Sequence, residues 1–218
     1  MSGKVLRKKI GRGIYLLRFD SQYDLAATFL RVQEHYESPR FHGRVFSLEE
    51  YADWYAEQYG NFTYYQDWAG FNVPSTALRA FYLGNFDPLT RKEQHLLRLF
   101  KTLRGRFYIV GIFGRRRRDL THELAHALFF TNAEYRNAVR RMLGTYSTGM
   151  LERQLVKIGY ARDVIQDELQ AYLIAPSGKL GAASKRLVPL RRKLRALFRE
   201  HTEGLSVPLI RRNSPEGR

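Results

Sequence analysis

The 218 residues of this chain predict an α+β fold, mainly helical, with a short β-sheet. Three observations carry that reading. Helix-start signals recur along the chain, each followed by apolar residues at helical spacing. One β-branched and aromatic run, residues 106–113, lies between Gly105 and Gly114 and reads as a strand. Hydrophobic residues make up 44% of the chain, with 14 Tyr, 14 Phe and 2 Trp, which supports a sizeable core and argues against disorder.

Ser21 can cap a helix running through Leu25, Phe29 and Val32. Ser47-Leu48-Glu49-Glu50 and Thr90-Arg91-Lys92-Glu93 are capping boxes, in which the hydroxyl and the carboxylate each satisfy a backbone N–H of the first turn. Residues 13–19 join residues 106–113 in the sheet. Between them, residues 51–86 carry Tyr51, Trp54, Tyr55, Tyr59, Tyr64, Tyr65, Trp68 and Phe71, a series that belongs mostly to the core. With a loop at Asn72-Val73-Pro74, part of this series could line a cleft, and Glu34 and His35 could approach it. Thr131-Asn132-Ala133-Glu134 starts a helix that Gly144 ends, and Gly159 separates the next two. A further helix begins near 186, with Leu187, Leu190, Leu194 and Leu197 on one side; Pro189 starts or kinks it. A soft boundary near 104 divides an N-terminal helical and aromatic part (1–104) from a C-terminal core (105–176). A basic helix and tail (177–218) follow, and the three can also pack as one compact domain.

The chemistry concentrates in Thr121-His122-Glu123-Leu124-Ala125-His126-Ala127. At 3.6 residues per turn, His122 and His126 lie one above the other and can reach a single metal ion. Glu123 then stands where a general base for an activated water is needed. Leu120, Leu124 and Leu128 fall on the opposite side of the same helix, and Ala125, Ala127, Phe129 and Phe130 complete an almost wholly apolar surface. Such a helix is buried. Its two histidines must then bind a metal or hydrogen-bond in the core. A catalytic zinc takes three protein ligands and leaves a position open. His201, the only later histidine, sits in a basic segment. Residues 163–175 offer a better candidate: projected as a helix, Val164, Ile165, Ala171, Tyr172 and Ala175 form an apolar arc with Glu168 at its centre. Asp167 falls outside that arc, on the side of Gln170. A carboxylate inside an apolar stripe needs a cationic partner, either a metal or an Arg or Lys.

His122-Glu123-x-x-His126, followed 42 residues later by Glu168-x-x-Ala171, resembles the gluzincin branch of the zincin metallopeptidases. Metzincins fit less well, because Phe129-Phe130-Thr131-Asn132 lacks their Gly and His. The resemblance spans roughly residues 106–176 and implies a zincin-like core with an edge strand, 106–113, beside the cleft. It implies that His122, His126 and Glu168 bind Zn2+, and that Glu123 takes the proton from the water attacking a peptide carbonyl. A Tyr that assists the oxyanion is also implied; Tyr172, Tyr160 and Tyr146 are available, with Tyr172 favoured because it lies one turn after Glu168.

Charge is the second strong signal. The net charge is +16, and residues 177–218 carry eleven Lys or Arg against three Glu. Arg115, Arg116, Arg117 and Arg118 stand between the 106–113 strand and the HExxH helix, where cations oppose the helix dipole; they can meet an anion or be solvated. The expectation is a zinc peptidase acting on a protein or peptide, with the basic surface open to nucleic acid or another polyanion. The alternative is a nucleic-acid-associated basic protein with restricted or no protease activity. There is no cysteine, which excludes thiolate zinc sites and suits a reducing, cytoplasmic compartment. No apolar run reaches membrane-spanning length, and Met1–Ile10 has charge without the apolar segment of a signal peptide.

Overall fold

The structure is a computed structural model that describes residues 5–114, 117–158, 160, 162–175 and 187–206. In chain order its strands and α-helices are β1 (Leu6–Gly11), β2 (Ile14–Phe19), α1 (Gln22–Glu37), α2 (Leu48–Tyr59), α3 (Tyr64–Asp67), β3 (Gly70–Pro74), α4 (Arg79–Tyr82), α5 (Arg91–Phe100), β4 (Tyr108–Phe113), α6 (Arg117–Thr131), α7 (Ala133–Gly144), α8 (Gly149–Lys157), α9 (Ile165–Ile174) and α10 (Val188–Thr202). The class is α+β, as the sequence predicts.

The caps operate as their side chains dictate. Ser21 Oγ accepts the Asp24 N–H at 3.0 Å at the start of α1. The box at Ser47 is only half made: Ser47 accepts from the Glu50 N–H, while the Glu50 carboxylate pairs with Arg44; the Thr90–Glu93 box is complete in both directions. Asn132, rather than Thr131, caps α7, accepting from the Tyr135 N–H at 3.0 Å. Pro189 lies in the first turn of α10, where its missing N–H has no helical partner to lose. Gly159 lies outside the described residues.

Four strands form one mixed sheet in the order β1-β2-β4-β3. β1 and β2 are an antiparallel hairpin closed by Gly13 at φ 71°. β2 runs parallel to β4, and β3 lies antiparallel to β4, pairing Phe71 with Gly111. This arrangement corrects two expectations. The 106–113 strand is internal, flanked on both sides, and is not an edge. The edge on that side is β3, in the segment read as a loop. Its five residues begin with Gly and end with Pro, residues depleted in strands, and an edge tolerates Pro because one of its backbone faces needs no ladder donor.

The sheet separates two apolar layers. On one face, Leu17, Phe19, Phe71, Val73 and Ile109 pack with α1 and the aromatic residues of α2 and α3. On the other, Ile14, Leu16, Tyr108, Val110 and Ile112 pack with Leu120, Leu124 and Leu128 of α6 and with the apolar sides of α7 to α10. Strand alternation sorts these sets, since successive side chains point to opposite faces. Gly111 lets α1 approach: a Cβ there would lie 2.6 Å from a Phe29 ring carbon and 2.9 Å from Leu25 Cδ1. Arg31 of α1 forks onto Glu93 of α5, with Nε 2.7 Å from Oε1 and Nη2 2.5 Å from Oε2. This buried pair fixes where the last turns of α1 emerge, which matters for the site below.

Candidate metal centre

α6 and α9 cross on the same face of the sheet, so the histidines of one meet the carboxylates of the other. One ligand atom from each of His122, His126 and Glu168 falls within 4.8 Å of the others. His126 Nε2 lies 3.2 Å from His122 Nε2 and 3.7 Å from Glu168 Oε1. Zn–N bonds of about 2.0–2.1 Å in tetrahedral geometry separate the nitrogens by roughly 3.3 Å, so the imidazole spacing suits one shared ion. Glu168 is 5% exposed, and its Oε2 is buried without a hydrogen-bond partner. A buried carboxylate oxygen without a donor is costly, and a cation is the partner that removes the cost. The donor set of two imidazoles and a carboxylate therefore fits a zinc-type ion, with thiolates excluded by composition.

His126 is held from behind. Its Nδ1 lies 2.9 Å from Asp167 Oδ1. Gln170 Nε2 donates to the same Oδ1 at 3.0 Å, and Tyr135 Oη donates to Gln170 Oε1 at 2.8 Å. The chain Tyr135–Gln170–Asp167 thus fixes the ring and leaves Nε2 turned toward Glu168, as outer partners of metal-binding histidines do. Periodicity put Asp167 outside the apolar arc of α9, which is correct. It gave no sign that this flank faces His126, because that depends on how α9 crosses α6.

Electrostatics at the centre follow from burial. Desolvation of His126 disfavours the imidazolium, but the carboxylates of Asp167 and Glu168 together hold its pKa well above the ordinary value. Burial raises the Glu168 carboxyl to about 7, helped by repulsion from Asp167 and Glu123, while His126 and a Tyr160 hydrogen bond pull it down.

Glu123 is 7% exposed and lines the same cavity without belonging to the three donors. Asn72 Nδ2 donates to its Oε2 at 2.5 Å, and the Tyr108 hydroxyl donates to Asn72 Oδ1. The Asn72 N–H, on the open edge of β3, meets Gln33 Oε1 at 3.3 Å. Gly70 supplies the space: a Cβ there would sit 2.7 Å from Glu123 Oε1. Gly70 and Asn72, two apart on one strand, thus seat the carboxylate from one face. The sequence reading placed Asn72 in a loop that could line a cleft, and it does line this cavity, in a strand; Gly70 was not singled out, because short strands with polar residues carry little periodic signal.

A cavity of about 250 Å³ adjoins the centre, lined by residues of α1, α3, β3, α6 and α9 and by Tyr160. The Tyr172 ring packs edge-on against His122 at 4.9 Å, and its hydroxyl pairs with Tyr160 Oη at 2.9 Å; both tyrosines line the cavity. Tyr146 lies elsewhere, beneath Lys193. Of the aromatic series, Tyr64, Trp68 and Phe71 reach the cavity. Glu34 lines it, whereas His35 turns to the Arg44 carbonyl at 2.8 Å. Glu37, missed from sequence, lines it as well. His201 packs on Tyr135. The side chains of the run from Arg115 to Arg118 lie outside the described residues. Comparison with protein-family models, curated proteins and solved structures gives no match.

Proposed function

We propose that this chain is a zinc-dependent peptidase with a zincin-like core, in which Glu123 is the general base for peptide hydrolysis. The observation that carries the reading is the meeting of His122, His126 and a Glu168 carboxylate whose Oε2 has no hydrogen-bond partner, across α6 and α9, with Glu123 beside them but outside the donor set. Zinc held there supplies a Lewis acid that polarises a carbonyl and activates water near neutral pH. Glu123 accepts a proton from the attacking water and returns it to the leaving amine. Asn72, fixed by Tyr108, holds one carboxylate oxygen of that base, so its orientation does not depend on substrate. The paired hydroxyls of Tyr160 and Tyr172 offer a donor for the developing negative charge on the carbonyl oxygen. The sheet edge that borders the cavity is β3, through Gly70, Phe71 and Asn72, with the Asn72 N–H already bonded to Gln33 Oε1. A cytoplasmic setting, suited to a chain without cysteine, belongs to the same reading.

The test compares wild type with Glu123→Gln after zinc loading. Elemental analysis gives about one zinc per chain for both, because the base is not a ligand. Hydrolysis of a mixed peptide library falls by roughly 10²–10⁴-fold in the variant, the usual worth of a positioned acid–base group. A variant that cleaves as fast as wild type contradicts the assignment.

A further inference from the structure

We propose that the outward side of α10 docks on the phosphate backbone of a nucleic-acid duplex, without reading its sequence. The inference goes beyond the peptidase reading and does not depend on the metal centre. At about 100° per residue, Arg191, Arg192, Arg195 and Arg199 share one arc of roughly 100° along α10, and Glu200, the one carboxylate of that helix, falls outside it. Leu190, Leu194 and Phe198 are buried on the other side of the helix, in the layer that holds α7 and α9. Arg192, Arg195 and Arg199 are exposed and Arg191 is half-buried. Among the described residues no carboxylate pairs with any of the four. Arg195 Nε donates to the Ile174 carbonyl at 3.0 Å and Arg199 Nε to the Arg195 carbonyl at 3.3 Å, contacts that leave both charges uncompensated.

Helix stability does not account for this row. α10 starts without an acidic residue in its first turn and without a side-chain cap, and the cations Arg191 and Arg192 near that end oppose the helix dipole. Arg191 and Arg195, and then Arg195 and Arg199, are like charges one turn apart, which weakens a helix. Burial first and the Arg191 charge second hold the Arg195 guanidinium below its ordinary pKa. The spacing and chemistry of the row select the partner. Residues four apart on a helix rise about 6 Å, so Arg191, Arg195 and Arg199 present evenly repeated cations along a line. A phosphodiester backbone repeats its charge along a line in the same way, and the guanidinium fork matches a phosphate with two parallel hydrogen bonds. A membrane surface fits less well, because a helix lying in it inserts its apolar side, and that side of α10 is already in the core. Single strands are held largely by stacking on aromatic rings, and the arc carries none. A net charge of +16 draws such a polyanion in from a distance.

The experiment measures binding of the full chain to a fluorescently labelled DNA duplex of mixed sequence by anisotropy, over about 50–200 mM salt. The logarithm of the affinity falls linearly with the logarithm of the salt concentration, by about 0.9 for each phosphate neutralised. Replacing Arg191, Arg192 and Arg199 together with Gln makes that slope shallower by about 2.7 and weakens binding at least about 10-fold. Arg195 is kept because it holds the Ile174 carbonyl. Arg192→Gln alone, at an exposed position, removes about 0.9 of the slope. Arg91→Gln, Arg98→Gln and Lys101→Gln together take the same charge from exposed positions at α5, in the other apolar layer, and leave the slope unchanged. Equal losses in the two triple variants assign the binding to net charge and overturn the inference. A duplex that fails to bind at the lowest salt also overturns it, as does tighter binding to a single strand or to phosphatidylserine vesicles than to the duplex. None of these outcomes bears on the peptidase reading.

Discussion

The carboxyl of Glu34 shows how a single residue is held in an unfavourable state. Burial raises its pKa to about 6 from 4.5, against hydrogen bonds from Tyr64, Tyr51 and Ser38 that favour the charged form. A carboxyl raised in the folded state stabilises the fold below about 4.5, and that contribution is lost as pH rises through about 6. Glu34→Gln removes the titration while keeping an acceptor for Tyr64. At pH 7 the metal-free variant is therefore more stable than wild type by up to about 2 kcal/mol, and the gain disappears near pH 4.5. Urea unfolding at the two pH values measures the difference; an equal effect at both contradicts the account. His122, Glu123, His126 and Glu168 were legible because their chemistry is local: a one-turn spacing in one case, a charge inside an apolar arc in the other. Gly70 and Glu37 were not, and Asn72 was read only as part of a loop that could line a cleft, because their places beside Glu123 and Glu168 depend on residues 51 or more positions away, which no local pattern reports.

At the level of elements, α9 brings two adjacent carboxylates to His126. Glu168 faces His126 Nε2 and Asp167 meets His126 Nδ1. Asp167→Ala leaves all three donors in place and removes the group that orients one of them. Zinc affinity, measured by competition with a chelating dye, drops about 10–100-fold, the usual effect of losing an outer partner; unchanged affinity shows that Asp167 does not position His126. Helix starts were the most readable elements, since Ser21, Ser47 and Thr90 each satisfy orphan N–H groups of their own helices. The edge strand β3 was unreadable for the opposite reason. Its identity as a strand depends on pairing with β4, 38 residues later, and its composition argues for a loop. The same long-range pairing decided that β4 is internal.

Across the whole molecule, charge is segregated. Arg7, Lys8 and Lys9 lie exposed on the edge strand β1, where charge also blocks strand addition. Arg192, Lys193, Arg195 and Arg199 lie exposed on α10, while the cavity collects carboxylates. The strongly basic composition was plain from the sequence; the acidic interior was not, since it is assembled from α1, α3, α6 and α9. Strands from both sides of residue 104 share the sheet, and none of the described helices is long and apolar enough to cross a membrane. An ion held by His122, His126 and Glu168 would link metal binding to the packing of α6 against α9. Crystals of zinc-loaded protein, measured at the zinc absorption edge, test the central claim most directly. The account predicts one anomalous peak per chain, bonded to His122 Nε2, His126 Nε2 and the Glu168 carboxylate. No peak at that position, or a peak whose ligands exclude Glu168, contradicts it.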